Sequence, residues 1–209
     1  MPDGAALVTF IVAGLLLNLT PGPDVLYIVA RSTSQGRAAG VVSVLGIVSG
    51  CVVHIVAAAA GLSALMVKVP IAYQIVRWAG AAYLAWLGLR ALLQKRGPLE
   101  AQAVTVQPLR RIYWQGVITN ALNPKVALFF VAFLPQFTDP ARGSLVVQFV
   151  VLGLIFNLNS LWVNLGYALV ASHLGGWLRR RFGIGAVLQR ITGAVYLALG
   201  LRLLLPDRR

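Results

Sequence analysis

Residues 77–93 read RWAGAAYLAWLGLRALL, and residues 190–205 read RITGAVYLALGLRLLL. With one gap at Trp86 the two share twelve identities, among them both arginines, the tyrosine and the Leu-Gly-Leu-Arg run. Chance likeness between helices rich in Leu, Gly and Ala explains shared leucines more easily than arginines and a tyrosine at matched places. The two stretches are therefore read as copies, the last helices of a duplicated three-helix unit. A unit of three crossings traverses a membrane an odd number of times, so its tandem copy enters upside down. The halves become inverted repeats about an axis in the membrane plane.

Composition supplies the membrane. Of the 209 residues, 59% are hydrophobic and only 11% charged, with a mean hydropathy of +0.82. A soluble domain carries about 25% charge to cover its surface, so a soluble enzyme and a disordered chain are both excluded. The lone cysteine, Cys51, excludes a disulfide-stapled module. A net charge of +13 suggests nucleic acid at first sight, but the basic residues cluster between long apolar runs, as in membrane-protein loops. The start, Met1-Pro-Asp-Gly, lacks the positive region of a cleavable leader.

A bilayer core needs about 20 apolar residues per helix, and six spans fit. The first covers residues 4–23 and runs on through a break to about Ala30; the second is Val41 to Val67, the third Pro70 to Leu93. The fourth lies within Ile112 to Thr138, the fifth within Ser144 to Ala171, and the sixth from about Ala186 to Leu205. The expected fold is an all-α polytopic membrane protein with residues 1–97 as first repeat, 98–111 as cytoplasmic linker and 112–209 as second repeat. The loops after spans one, three and five hold Arg31, Arg37, Arg90, Lys95, Arg96, Arg110, Arg111, Arg179, Arg180, Arg181 and Arg190, eleven in all. The other side holds six: Lys68, Arg77, Arg142, Arg202, Arg208 and Arg209. The positive-inside rule then puts both termini on the outer, periplasmic side. Trp114 and Trp177, beside basic clusters, fit interfacial anchors or packing residues equally well.

Corresponding spans one and four each hold an odd feature. Span one contains Asn18-Leu-Thr20-Pro21-Gly22-Pro23-Asp24 and span four Asn120-Ala-Leu-Asn123-Pro124-Lys125. Proline lacks an N–H and clashes with the carbonyl four residues back, so both helices should break there. Thr20-Pro21 and Asn123-Pro124 read as N-cap followed by proline at the first helical position. Inversion brings the two new N-termini face to face at mid-membrane, a setting for an anion. Plain packing kinks are the competing reading. Against it stand Asp24 and Lys125, since a mid-membrane charge costs about 2.5–3.5 kcal/mol and requires a partner, a cavity or a task. About 13 residues separate Lys125 from the nearest charge on either side, roughly 20 Å of helix, too far to snorkel. Asp24 also suits a simple capping role. Asn157, Asn159 and Asn164 on span five suit either a cavity lining, with Asn157 and Asn164 on one face, or interhelical hydrogen bonding, the commoner role. Gly40, Gly46 and Gly50, and Gly80 with Gly88, allow close helix approach. His54 and His173 have no metal-ligand partners in sequence, and no hydrolase, phosphate-loop or paired-carboxylate pattern appears. No enzyme activity and no cofactor are expected.

Thr20-Pro21-Gly22-Pro23-Asp24, Gly36-Arg37-Ala38-Ala39-Gly40, Asn120-Ala-Leu-Asn123-Pro124-Lys125 and Phe133-Leu-Pro-Gln-Phe137 resemble the signatures of the LysE/RhtB family of bacterial amino-acid exporters. The resemblance implies a plasma-membrane exporter of amino acids or derivatives driven by the proton-motive force, and the Phe133–Phe137 pattern is similar to that of homoserine, threonine and leucine exporters. A neutral substrate also fits the scarcity of acids. Its carboxylate would meet the half-helix N-termini and Lys125, and its ammonium Asp24 or nearby carbonyls. Asn18, Thr20, Pro21, Gly22, Pro23, Asn120, Asn123, Pro124 and Asn157 would complete the site. Asp24 is the candidate for proton exchange, and access would alternate by rocking one repeat against the other. Expected partners are the substrate, protons and lipids, with a homodimer left open and nucleic acid excluded. A passive channel or scramblase, and a divalent-metal exporter, are the rival readings.

Overall fold

In a computed structural model of the chain, residues 2–68, 70–93 and 105–178 are described, with Ala194 and Leu197. The expected sixth span, the second copy of the repeated stretch and linker residues 98–104 lie outside them. All regular elements among the described residues are helical.

Helix α1, Gly4–Leu19, opens where Asp3 Oδ1 accepts the Ala6 N–H at 2.8 Å, and it ends on Thr20, whose backbone turns extended. Helix α2, Pro23–Ala57, follows. At 1.5 Å per residue its 35 residues would reach about 50 Å, far beyond a bilayer core. It is interrupted at Gly36, with φ 79° and ψ −169°, a left-handed conformation that glycine adopts without penalty. Ser32 and Gly40 would be about 12 Å apart in a continuous helix, yet a Cβ built on Gly40 would lie 3.1 Å from Ser32 Cβ. The chain doubles back here, and α2 consists of two arms. The second arm continues through a wide turn, Ala58–Leu62, into α3, Ser63–Lys68; α4 is Pro70–Leu93.

Helix α5, Leu109–Ala121, and α6, Pro124–Leu128, are separated by a short break, and α6 extends through Phe129–Phe133 and Leu134–Phe137. The axes on either side of the break differ by 41°. A single turn at Pro140–Arg142 leads to α7, Leu145–Leu178.

Helix α2 is the hub, packed on both α5 and α7. Small residues allow its approach to α5. A Cβ at Gly50 would sit 2.5 Å from the Val117 carbonyl oxygen, one at Gly46 would run into the Tyr113 carbonyl, and one at Gly116 would lie 2.9 Å from Ser43 O. These backbones touch, as small residues permit between membrane helices. Beside them lies an aromatic block in which Phe129 stacks on Phe156 with ring centroids 4.5 Å apart and Phe10 meets Phe137 edge-on at 5.3 Å.

The outside is apolar as well. Val8, Val12 and Leu16 on α1 and Leu154, Leu158 and Trp162 on α7 form exposed stripes at four-residue spacing, and helices apolar on all sides belong in lipid. Pro23–Leu62 and Leu145–His173 are each long and apolar enough to cross a membrane, as is the bent pair Leu109–Ala121 with Pro124–Phe137 taken as one span. Trp114 is exposed.

Candidate functional site

The gap between α1 and α2 and the gap between α5 and α6 hold each other across the protein. Lys125, in the first turn of α6, is buried and donates from Nζ to the Thr20 carbonyl at 2.9 Å and the Leu17 carbonyl at 3.2 Å. Both carbonyls belong to the C-terminal end of α1, where the helix dipole favours a cation; Leu17 O also accepts the Thr20 N–H at 3.1 Å. Gly22 makes room for the lysine: a Cβ there would lie 3.2 Å from Nζ. In the reverse direction Asp24, in the first turn of α2, accepts at Oδ2 from the Asn120 side-chain amide at 3.0 Å. The two opposite charges thus take separate partners, each from the other break.

Local capping differs from the sequence reading at one place. Asn123 caps α6, its Oδ1 accepting the Lys125 N–H at 3.0 Å, with Pro124 at the first helical position. Thr20-Pro21 does not play that part for α2. The Thr20 hydroxyl donates back to Leu16 O at 2.7 Å and finishes α1, while extended Gly22 is the N-cap and Pro23 the first residue of α2. The Thr20 oxygen keeps lone pairs that could accept, but α2 begins three residues later, at Pro23, with Gly22 as its N-cap.

Proline accounts for what surrounds the breaks. In a continuous helix the N–H of residue 124 would bond to Asn120 O, that of 21 to Leu17 O and that of 23 to Leu19 O; proline supplies none of them. Side chains from other elements donate to all three oxygens: His54 Nε2 to Asn120 O at 2.9 Å, Lys125 to Leu17 O, and the Tyr167 hydroxyl of α7 to Leu19 O at 2.8 Å. His54 and Tyr167 were not among the residues expected in the site. His54 had one signal in sequence, as the only titratable side chain besides Cys51 between residues 38 and 67; Tyr167 had none.

Among the described residues six buried polar side-chain atoms make no hydrogen bond of ordinary geometry: Asn18 Nδ2, Asn123 Nδ2 and Asn159 Nδ2, which are donors, and Asp24 Oδ1, Asn120 Oδ1 and Asn157 Oδ1, which are acceptors; Asn123 does lie within interaction range of the Asp24 carboxylate. Asn157 is otherwise tied to the Val48 carbonyl of α2 at 3.2 Å, and Asn164 bonds to Ser160 within α7.

A second polar cluster sits two turns further along α2. Arg31 Nη1 donates to Gln35 Oε1 and Thr105 O, and Nη2 to Gln107 Oε1 and Gln115 Oε1, all between 3.0 and 3.2 Å. The Gln35 side chain also pairs with the main chain of Gln107, its Nε2 donating to Gln107 O and its Oε1 accepting the Gln107 N–H, and Tyr27 donates to Ile112 O at 2.7 Å. This cluster fastens the first arm of α2 to the start of α5.

The LysE type translocator family model matches residues 15–206, from within α1 through both breaks. The chain belongs to this family. A homoserine/homoserine lactone efflux protein of Salmonella typhimurium is 29% identical to this translocator over 192 residues, 91% of the chain and 92% of the relative. An uncharacterized membrane protein of Pseudomonas aeruginosa is 31% identical over 93% of both chains. A leucine efflux protein of Salmonella choleraesuis is 33% identical over 69% of the chain and 68% of its own length. No solved structure matches the translocator.

Proposed function

We propose that the protein exports amino acids or close derivatives with neutral side chains, such as homoserine, threonine or leucine, across the bacterial plasma membrane, and that the paired breaks hold the substrate. The observation that carries this reading is the set of unpartnered atoms. A buried polar group left unpaired costs about 1–3 kcal/mol, so four of them at the two helix breaks, on Asn18, Asp24, Asn120 and Asn123, are an expense without return unless a polar ligand visits. Two donors and two acceptors suit a zwitterion, which brings a carboxylate to the former and an ammonium to the latter. Lysine has three N–H bonds, and Nζ uses two on carbonyls, which leaves one for the carboxylate beside Asn123 Nδ2 and Asn18 Nδ2. Asp24 Oδ1 and Asn120 Oδ1 face the ammonium. The efflux activities in the relatives' names support the substrate class.

The remaining architecture follows the same proposal: six spans in two inverted three-helix repeats, termini in the periplasm, and exchange of protons at Asp24 as the energy input. The test is efflux from proteoliposomes loaded with radiolabelled homoserine, threonine or leucine under an imposed pH gradient. Saturable efflux that follows the gradient is the expected result. Linear, gradient-independent flux would make the protein a channel and overturn the reading, as would flux of divalent metal without amino acid.

A further inference from the structure

His54 lies on the second arm of α2, buried against α5, with its ring 5.8 Å from that of Phe130. Gly50, one turn earlier, brings the α2 backbone to within contact of Val117 O, and that approach lets the imidazole reach the end of α5. Its Nε2 meets Asn120 O at 2.9 Å. A carbonyl oxygen only accepts, so Nε2 carries the hydrogen. Asn120 O is the oxygen orphaned by Pro124, and it also accepts the Asn123 N–H at 2.8 Å. Two donors therefore converge on the one oxygen that sets the bend between α5 and α6. The same residue, Asn120, presents its side-chain amide to Asp24.

We infer that His54 is a positioning residue of the transport site: its Nε2–H stands in for the amide hydrogen that Pro124 lacks, and so fixes Asn120 where its amide holds the Asp24 carboxylate. His54 need not touch substrate. Its effect passes through Asn120 to the carboxylate that receives the ammonium, so it governs substrate affinity more than turnover. The charged groups around this chain are Asp24 from α2 and Lys125 from α6. The proposal rests on the exporter reading for its transport consequence alone; the hydrogen bond itself does not.

Glutamine can place an amide N–H near the position of Nε2–H, and leucine cannot. In proteoliposomes His54→Gln is expected to transport within about threefold of wild type with an unchanged pH profile, while His54→Leu raises the apparent KM about tenfold, the scale of one lost hydrogen bond to a buried group. Wild-type kinetics in His54→Leu would overturn the proposal. So would a His54→Gln variant as impaired as His54→Leu with an altered pH profile, which would assign His54 a proton-carrying task instead. A second measurement does not need transport. The chain has two histidines, so in a His173→Gln background the 15N spectrum reports His54 alone. The Nε2–H tautomer is expected, lost when Asn123-Pro124 is replaced by Ala-Ala to restore a continuous helix. The Nδ1–H tautomer would overturn the inference even if no amino acid were transported, whereas absent transport with the Nε2–H tautomer would fault the exporter reading alone.

Discussion

Arg31 and Lys125 are both buried cations that touch no carboxylate among the described residues, and their surroundings are built in opposite ways. Around Arg31, four neutral acceptors converge on one guanidinium, and the Gln35 side chain closes the ring by bonding to the main chain of Gln107. Around Lys125 and Asp24, two turns away, the cluster is left open, with Asn18, Asp24, Asn120 and Asn123 each holding an unused atom. A buried network with every group satisfied contributes rigidity, and one with gaps is costly. The first is a fastening and the second, on the proposed reading, a receptacle.

Substitutions should separate the two. The largest effect is expected at the receptacle's charges: Lys125→Met or Asp24→Asn should abolish measurable efflux while the protein still inserts and purifies, and normal efflux from both variants would break the assignment. Next, Asn18→Leu should lower transport by more than about tenfold while raising the thermal midpoint, because an apolar side chain replaces an unpaired buried donor; a lowered midpoint would show that Asn18 is structural. Arg31→Met should act the other way. It strands several acceptors and should cost about 1–3 kcal/mol of stability, read as a lower midpoint in detergent. Saturating substrate at about 100 times its Kd should stabilise the wild type by about 2.7 kcal/mol, and this gain should persist in Arg31→Met and vanish in Lys125→Met. The smallest effect is expected at Gly36→Ala, where only the positive φ resists substitution because nothing lies within 4 Å of the added Cβ; about 1 kcal/mol is expected.

Much of the receptacle was legible because proline chemistry is local. Asn123-Pro124 can be read as cap and first turn from two residues, and the structure places Lys125, remote in sequence from any other charge, and Asp24 in contact with the opposite break. At Thr20-Pro21-Gly22-Pro23 the same rule pointed to Pro21, and the helix starts at Pro23. Pro23 won because the glycine between takes the extended cap conformation and the threonine bonds backward. His54 was passed over because its meaning depends on a helix 66 residues away in sequence. The glycines at 46 and 50 announced a close approach without naming its partner. Arg31 was read as one of the loop charges that set orientation; its glutamine partners, Gln107 and Gln115, carry no pattern that would have linked them to it.

The glycine contact between α2 and α5 has a mechanical consequence. With Gly46 against Tyr113 O and Gly50 against Val117 O, the two helices mesh like teeth, and sliding either by part of a turn would drive backbone into backbone. A Cβ at Gly50 would also lie 2.9 Å from Asn120 Cβ, so the same seam sets how far the end of α5, and with it the second break, stands from α2.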